Sequence, residues 1–237
     1  TTLISGDGPL VVGEGPVRTG VTAILPRPLE DLVLPVFAGV FSHNGDCELT
    51  GSHLIDEFGA FNFPITITNT HSCGVTRDAT LRWMQKHHPD SLDDGWALPV
   101  AGETYDGFLN DINGHHVANE HVFGALEAAG RGAIEEGSVG GGTGMITFEF
   151  KAGSGTASRI VEWGGSRYTV GVFAQPSCGQ AAAAPSAATT GTNATAPYLV
   201  NTARVSRTAG AGHQRKRDIV AVRTVAHAAS ATRAIIM

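Results

Sequence analysis

The sequence predicts an α/β or α+β protein, and three observations point there. Apolar residues make up 42% of the chain, as in a globular protein. Its 31 glycines and 11 prolines in 237 residues call for short elements joined by many turns. Stretches alternating with period two are interleaved with stretches of helical period. A chain of this length buries one substantial core, or two small ones.

Taken in order, "LVLPVFAGVF" (residues 32–41) is too short for a membrane span and is broken by Pro35 and Gly39, so it reads as a buried strand. In "FPITITNTHSCG", Ile65 and Ile67 alternate with Thr66 and Thr68 after Pro64, which marks a strand running into a polar turn. Residues 75–88 form an amphipathic helix with Thr80, Trp83, Met84 and His87 on one side and Pro89 as its stop. Residues 118–132 form a second, capped by Asn119 and ended by Gly130. "MITFEFKAG" and "RYTVGVFAQ" read as strands by alternation and β-branched content.

Charge divides the chain. Up to Gln175, nine Lys and Arg face 21 Asp and Glu; beyond it, seven basic residues face one acid, Asp218. The acidic body repels phosphates, and the run "HQRKRD" lacks interleaved aromatics, so it reads as a solvated tail and no nucleic-acid partner is expected. Residues 179–196, rich in Ala, Thr and Ser, bury too little to offset their ordering entropy and read as a linker. Cys47, Cys73 and Cys178 suit neither a disulfide framework nor a zinc site. With no secretory pattern or membrane span in view, a cytoplasmic location is expected, or a periplasmic one if a leader segment is missing.

Four stretches carry candidate chemistry. Cys73, between a strand and a helix start, is a candidate thiolate nucleophile with His71 as base; the alternative is a buried small side chain. "EEGSVGGGTGM" offers backbone N–H groups, but it lacks the phosphate-loop lysine and leads into a strand, so it reads as a close backbone approach. Within it, Gly137-Ser138 is a candidate self-cleavage dipeptide. His115, His116 and His121 with Glu120 could hold a metal, but Gly114 and Asn119 point to a helix entry. Tyr105, in "AGETYDGFLNDINGHH", stands where a phenol can serve an oxyanion or relay a proton, or simply cap a strand edge.

The segments "GPVRTGVTAILPR", "PITITNTHSCGVTRDATL", "WALPVAGETYDGFLNDINGHHV", "EEGSVGGGTGMITFEFKAGSGTASRIV" and "YTVGVFAQ" together resemble the self-processing L-aminopeptidase/D-esterase (DmpA-type) family, related to the β-peptidyl aminopeptidases. The resemblance covers about residues 2–175. It implies a four-layer αββα sandwich like that of the N-terminal-nucleophile hydrolases, assembled as a homotetramer. It also implies self-cleavage at a Gly-Ser bond, with the freed serine as nucleophile and its α-amine as general base, and no cofactor or metal. On that resemblance the chain is a serine-type aminopeptidase or amidase that releases N-terminal residues from short peptides, amides or esters.

Tyr105 matches the family's oxyanion and proton-relay hydroxyl. Ser177, in "QPSCG", stands where the family has an asparagine. The Gly-Ser nucleophile has no direct match: Ser186 lacks the preceding glycine, and Gly191-Thr192 offers a threonine. Asp218 matches an orienting acid, with Lys216 at the family's serine position. These departures lead to an expectation of weak or absent activity. Two alternatives stand beside it: a non-catalytic binding or scaffold homologue, and a Cys73-dependent hydrolase. The expected organisation is a sandwich body over residues 1–178, a linker or self-processing region over 179–196, and a divergent basic segment over 197–237.

Overall fold

The computed structural model describes residues 1–42, 47–92, 95–177, 198–207 and 219–224, the last two segments as backbone strands. The chain opens with β1 (Thr2–Ser5), β2 (Val17–Gly20), β3 (Thr22–Ile24) and β4 (Val36–Phe41). A short helix α1 (Ser52–Phe58) leads to β5 (Ala60–Phe61) and β6 (Ile65–Asn69), and then to the long helix α2 (Cys73–His87). After β7 (Val100–Thr104) and α3 (Asn119–Glu127) come a small hairpin of β8 (Ile146–Thr147) and β9 (Phe150–Lys151), and the long strands β10 (Gly155–Trp163) and β11 (Ser166–Ser177). Strands β12 (Tyr198–Arg207) and β13 (Ile219–Thr224) complete the set.

Two sheets face each other. In the smaller, β6 is flanked by β3, antiparallel, and β7, parallel. The larger has the order β10-β11-β12-β13-β4-β5, antiparallel throughout except for the parallel β13–β4 pair. The Ile/Thr alternation of β6 separates two buried faces. Ile65 and Ile67 join Val100, Val36 and Phe173 in a core between the sheets. Thr66 turns to the helices, where its hydroxyl meets that of Thr80 at 3.4 Å.

Helix α2 buries Thr76, Ala79, Thr80, Trp83 and Met84, the spacing of a single apolar stripe. Its Ala79, Trp83 and Met84 pack with Val122, Ala125 and Leu126 of α3 in a second core, on the outer side of the smaller sheet. Among the described residues the layers are therefore helix, sheet, sheet. No described helix is long and apolar enough to cross a membrane.

Three expectations need correction. Residues 32–41 are not one buried strand: β4 starts at Val36, just after Pro35, which cannot donate to a ladder. Leu32 is buried in the helix-side core, while Phe37 and Phe41 are each 53% exposed. The second helix has Ala118, not Asn119, as its N-cap; the Ala118 N–H donates to Nδ1 of His121 at 3.0 Å, and the helix ends before Gly130. "MITFEFKAG" is a tight hairpin rather than a strand, because Phe148 and Glu149 take positive φ values of 51° and 67° and reverse the chain.

The sheets are also joined by a polar clamp. Gln175, fully buried on β11, donates through Nε2 to the Thr104 hydroxyl at 2.7 Å. Its Oε1 accepts from the Thr22 hydroxyl at 3.1 Å, and that hydroxyl accepts the Gly141 N–H at 3.1 Å. A Cβ on Gly141 would lie 2.6 Å from Gln175 Nε2, so only glycine fits there. Gln175→Leu removes the carboxamide at similar volume and is expected to lose about 2–3 kcal/mol, since the buried Thr104 hydroxyl and the part-buried Thr22 hydroxyl each lose a partner. Urea denaturation measures this, and an unchanged midpoint would refute the clamp.

Candidate active site

The clamp brings the end of β11 to the end of β7. One residue past Thr104, the backbone N–H of Tyr105 donates to the Ser177 hydroxyl at 2.6 Å. The two residues singled out from opposite ends of the body are therefore neighbours. Ser177 is buried, whereas Tyr105 is 39% exposed and meets Phe108 edge to face at 5.5 Å between ring centroids. Ser177 also pairs in register with Tyr198, so the chain enters β12 beside these two residues. Ser186, Thr192 and Asp218 lie outside the described residues.

Local sequence shapes the loop after β7. The Tyr105 ring folds over Gly107, where a Cβ would lie 2.5 Å from the phenol oxygen. The N–H groups of Leu109 and Asn110 both donate to the Asp106 carbonyl at 3.0 Å. Further on, a Cβ on Gly114 would strike both Asp111 and His116, whose side chains pair at 2.8 Å. Burial pushes the Asp111 carboxyl up, but hydrogen bonds from His116 and the Gly13 N–H bring it below the usual carboxylate range.

This arrangement accounts for the histidine cluster. His116 holds Asp111, His121 caps α3, and His115 stacks on His71 with centroids 5.9 Å apart. Among the described residues, no group of three His, Cys, Asp or Glu side chains is placed to hold a metal ion.

Cys73 begins α2 as expected, but its thiol is fully buried and lies 3.5 Å from the Ala101 carbonyl oxygen. Burial, with the nearby Glu48 and Glu103 carboxylates, pushes it up to about 12. Burial in that setting disfavours the thiolate, which counts against the Cys73-dependent reading. The glycine-rich stretch is the close approach expected: Gly140–Gly142 form a buried turn against β3 and Gln175. Gly137 is bridged to Ser154 by two 2.8 Å hydrogen bonds and, with Ser138, Thr147, Lys151 and Pro176, lines an open cleft of about 570 Å³. Pro176 alternates with Gln175 and Ser177, so this cleft lies across β11 from Tyr105.

The sequence reasoning missed Asp106. It is fully buried, Oδ1 accepts from Asn110 Nδ2 at 3.0 Å, and Oδ2 closes no hydrogen bond. Burial raises its pKa to about 6, against smaller lowering effects from Thr19, Asn110 and His71. Its place beside Tyr105 was visible, but its burial depends on β2 and the glycine-rich turn, which are distant in sequence.

A sandwich of two sheets with helices on one face defines a mixed α/β fold, and the solved structures it matches place it with the N-terminal-nucleophile hydrolases. The chain belongs to peptidase family S58, which matches residues 1–224 and so extends past Gln175 through β13. It is 52% identical over 174 residues to the β-peptidyl aminopeptidase BapA of Sphingosinicella microcystinivorans, covering 73% of this chain and 43% of that protein. Among solved structures it resembles the L-aminopeptidase D-Ala-esterase/amidase of Ochrobactrum anthropi, described as a prototype of the serine aminopeptidases and a new variant of the Ntn hydrolase fold. That match has a TM-score of 0.69 and 46% identity, over 73% of this chain and 48% of the other. The PH0078 protein of Pyrococcus horikoshii OT3 matches with a TM-score of 0.72 and 44% identity, over 76% and 51% of the two chains. The chain thus spans about half the length of the relatives it matches.

Two outcomes follow from this geometry. Gly107→Ala is expected to displace the Tyr105 ring, read as a change in its NMR ring shifts with little change in overall fold. For Asp106, the folded-state pKa lies above the unfolded value of about 3.9, so the stability this group contributes is complete below that value and is lost as pH rises through about 6. Asp106→Asn should therefore gain about 2–3 kcal/mol on the parent between pH 4 and 7.5. Urea titrations at both pH values test this; equal differences at the two would refute it.

Proposed function

We propose that this chain is the Tyr105-bearing part of an aminopeptidase or amidase-type hydrolase that acts on the N-terminal residue of short peptides, amides or esters. The single observation that carries the reading is the 2.6 Å contact of Tyr105 with Ser177 beside the start of β12. It anchors the backbone of the phenol-bearing residue at the point where the chain enters a strand from the segment holding Ser186 and Thr192. In this reading, residues 1–178 form the body, residues 179–196 hold the self-processing bond, and residues 197–237 follow it.

The nucleophile is Ser186 or Thr192. Once freed as an N-terminus, either has an α-amine that titrates near neutrality and can take the hydroxyl proton. Attack on the substrate carbonyl develops an oxyanion, to which the Tyr105 hydroxyl donates; Asp218 orients the nucleophile. Homotetrameric assembly and a cytoplasmic or periplasmic setting belong to the same reading. The names of the relatives, β-peptidyl aminopeptidase and L-aminopeptidase D-Ala-esterase/amidase, support the substrate class.

A second reading is favoured by a specific observation. Ser177 stands at the asparagine position, and its oxygen is fixed by the Tyr105 N–H, so a shorter hydroxyl tied to the backbone replaces the carboxamide as oxyanion donor. A binding homologue that keeps the pocket without turnover fits this.

Incubation of the purified chain with amino-acid anilides, followed by intact-mass measurement, separates the two. The hydrolase reading expects a break within residues 180–195 and slow anilide hydrolysis that Tyr105→Phe lowers by about 10²-fold. An intact mass with no hydrolysis, together with specific binding of small peptides, would leave the binding reading.

A further inference from the structure

Asp106 is a buried carboxyl at which two hydrogen-bond relays converge. In one, the Ser72 N–H donates to Asn69 Oδ1 at 3.0 Å, and Asn69 Nδ2 donates to the Thr19 hydroxyl at 2.9 Å. That hydroxyl lies close enough to the Asp106 carboxyl to stabilise its charge. In the other, the Arg18 N–H donates to Asn110 Oδ1 at 3.0 Å, and Asn110 Nδ2 donates to Asp106 Oδ1 at 3.0 Å. Every fixed donor in the two chains points toward this carboxyl, which joins β2 and the β6–α2 turn to the residue next to Tyr105.

A close wall completes the setting: a Cβ on Gly144 would lie 2.9 Å from Asp106 Cβ, so only glycine lets that backbone pack against Asp106. The carboxyl is fully buried, where an asparagine would avoid burying a charge, and the Thr19 hydroxyl and Asn110 Nδ2 stabilise that charge.

We propose that Asp106 is a positioning residue for Tyr105: its carboxylate gathers the two relays and so holds the Tyr105 N–H on Ser177 and the phenol over Gly107. The link to catalysis rests on Tyr105 being the oxyanion donor, while the positioning itself does not. Protonation at Oδ2 turns that oxygen into a donor and replaces the charge-assisted bonds of the relays with weaker neutral ones, which loosens Tyr105 and makes the geometry of the site pH-dependent. Among the described residues, the charged and titratable groups around Asp106 are few. His71 faces it from the turn before α2, with His115 stacked on that ring. On β2, the Arg18 guanidinium is engaged by the Leu109 carbonyl oxygen at 3.0 Å. On the same loop, Asp111 is paired with His116.

The test is a pH titration of the whole chain by NMR, following the Asp106 carboxyl carbon and the Tyr105 amide and ring, with no turnover needed. The expected result is one shared midpoint near pH 6 for the carboxyl carbon and the Tyr105 signals, and Tyr105 signals flat with pH in Asp106→Asn. In His71→Gln, removal of the imidazole should move the shared midpoint upward while Tyr105 still follows the carboxyl. Tyr105 signals that stay constant between about pH 4.5 and 8 in the parent, or that titrate undiminished in Asp106→Asn, would overturn the proposal. So would a Tyr105 response that vanishes in His71→Gln while the Asp106 carbon still titrates. Failure to hydrolyse anilides would count against the hydrolase reading and leave this titration unaffected.

Discussion

The site depends on the register of β11, and the Gln175 carboxamide sets that register. Apolar packing alone tolerates sliding, because Val170, Val172 and Phe173 offer similar surface wherever they land. A buried carboxamide does not, since it needs a donor on one side and an acceptor on the other, and only Thr22 and Thr104 supply them. A slip of one residue would turn Phe173, Gln175 and Ser177 away from β7 and bring Ala174 and Pro176 in their place. Tyr105 would then face no hydroxyl.

The glycines belong to the same constraint. Gly141 lets the turn approach Gln175, Gly107 lets the Tyr105 ring lie flat on its own loop, and Gly114 makes room for the Asp111–His116 pair. Gly141 and Gly114 let polar groups meet at hydrogen-bond distance where a methyl group would hold them apart, and Gly107 leaves room for the ring. The high glycine content seen in the composition is thus partly a feature of the site, and not only of the turns.

Much of the scaffold was legible because local chemistry and tertiary placement agree. The Ile/Thr alternation of residues 65–68 marks the two faces of β6, and the stripe from Thr76 to Met84 marks the buried side of α2. Reading failed where a residue's surroundings override its type. Phe148 and Glu149 look like strand residues, yet they turn the chain in a conformation normally left to glycine or asparagine. Strand β10 went unread because its residues, Ile160 and Trp163 among them, are largely exposed on an outer strand and show no buried face. In the site, Tyr105 and Ser177 were found through family resemblance, and their contact could not have been read from spacing across 72 positions. Asp106 sits beside Tyr105 in the chain, but nothing local says that β2 and the Gly144 backbone enclose it.

If Ser177 takes the asparagine position as proposed, the exchange has a stereochemical consequence. A serine hydroxyl has two lone pairs and one proton. Accepting the Tyr105 N–H uses a lone pair and leaves the proton free to donate elsewhere, so Ser177 remains a donor with a fixed oxygen position. An asparagine amide would extend further from the strand before reaching its nitrogen. In the proposed reaction, the Ser177 donor therefore lies deeper than an amide would. An oxyanion that reaches Ser177 must sit closer to β11, while one placed for Tyr105 sits at the exposed mouth. A substrate carbonyl cannot be optimal for both, and Tyr105, with its ring half in solvent, is the donor that can adjust. In that proposed reaction, competence would turn on how firmly the phenol is held, and the loop from Asp106 to Asn110, closed by the Leu109 and Asn110 N–H groups on the Asp106 carbonyl, holds it.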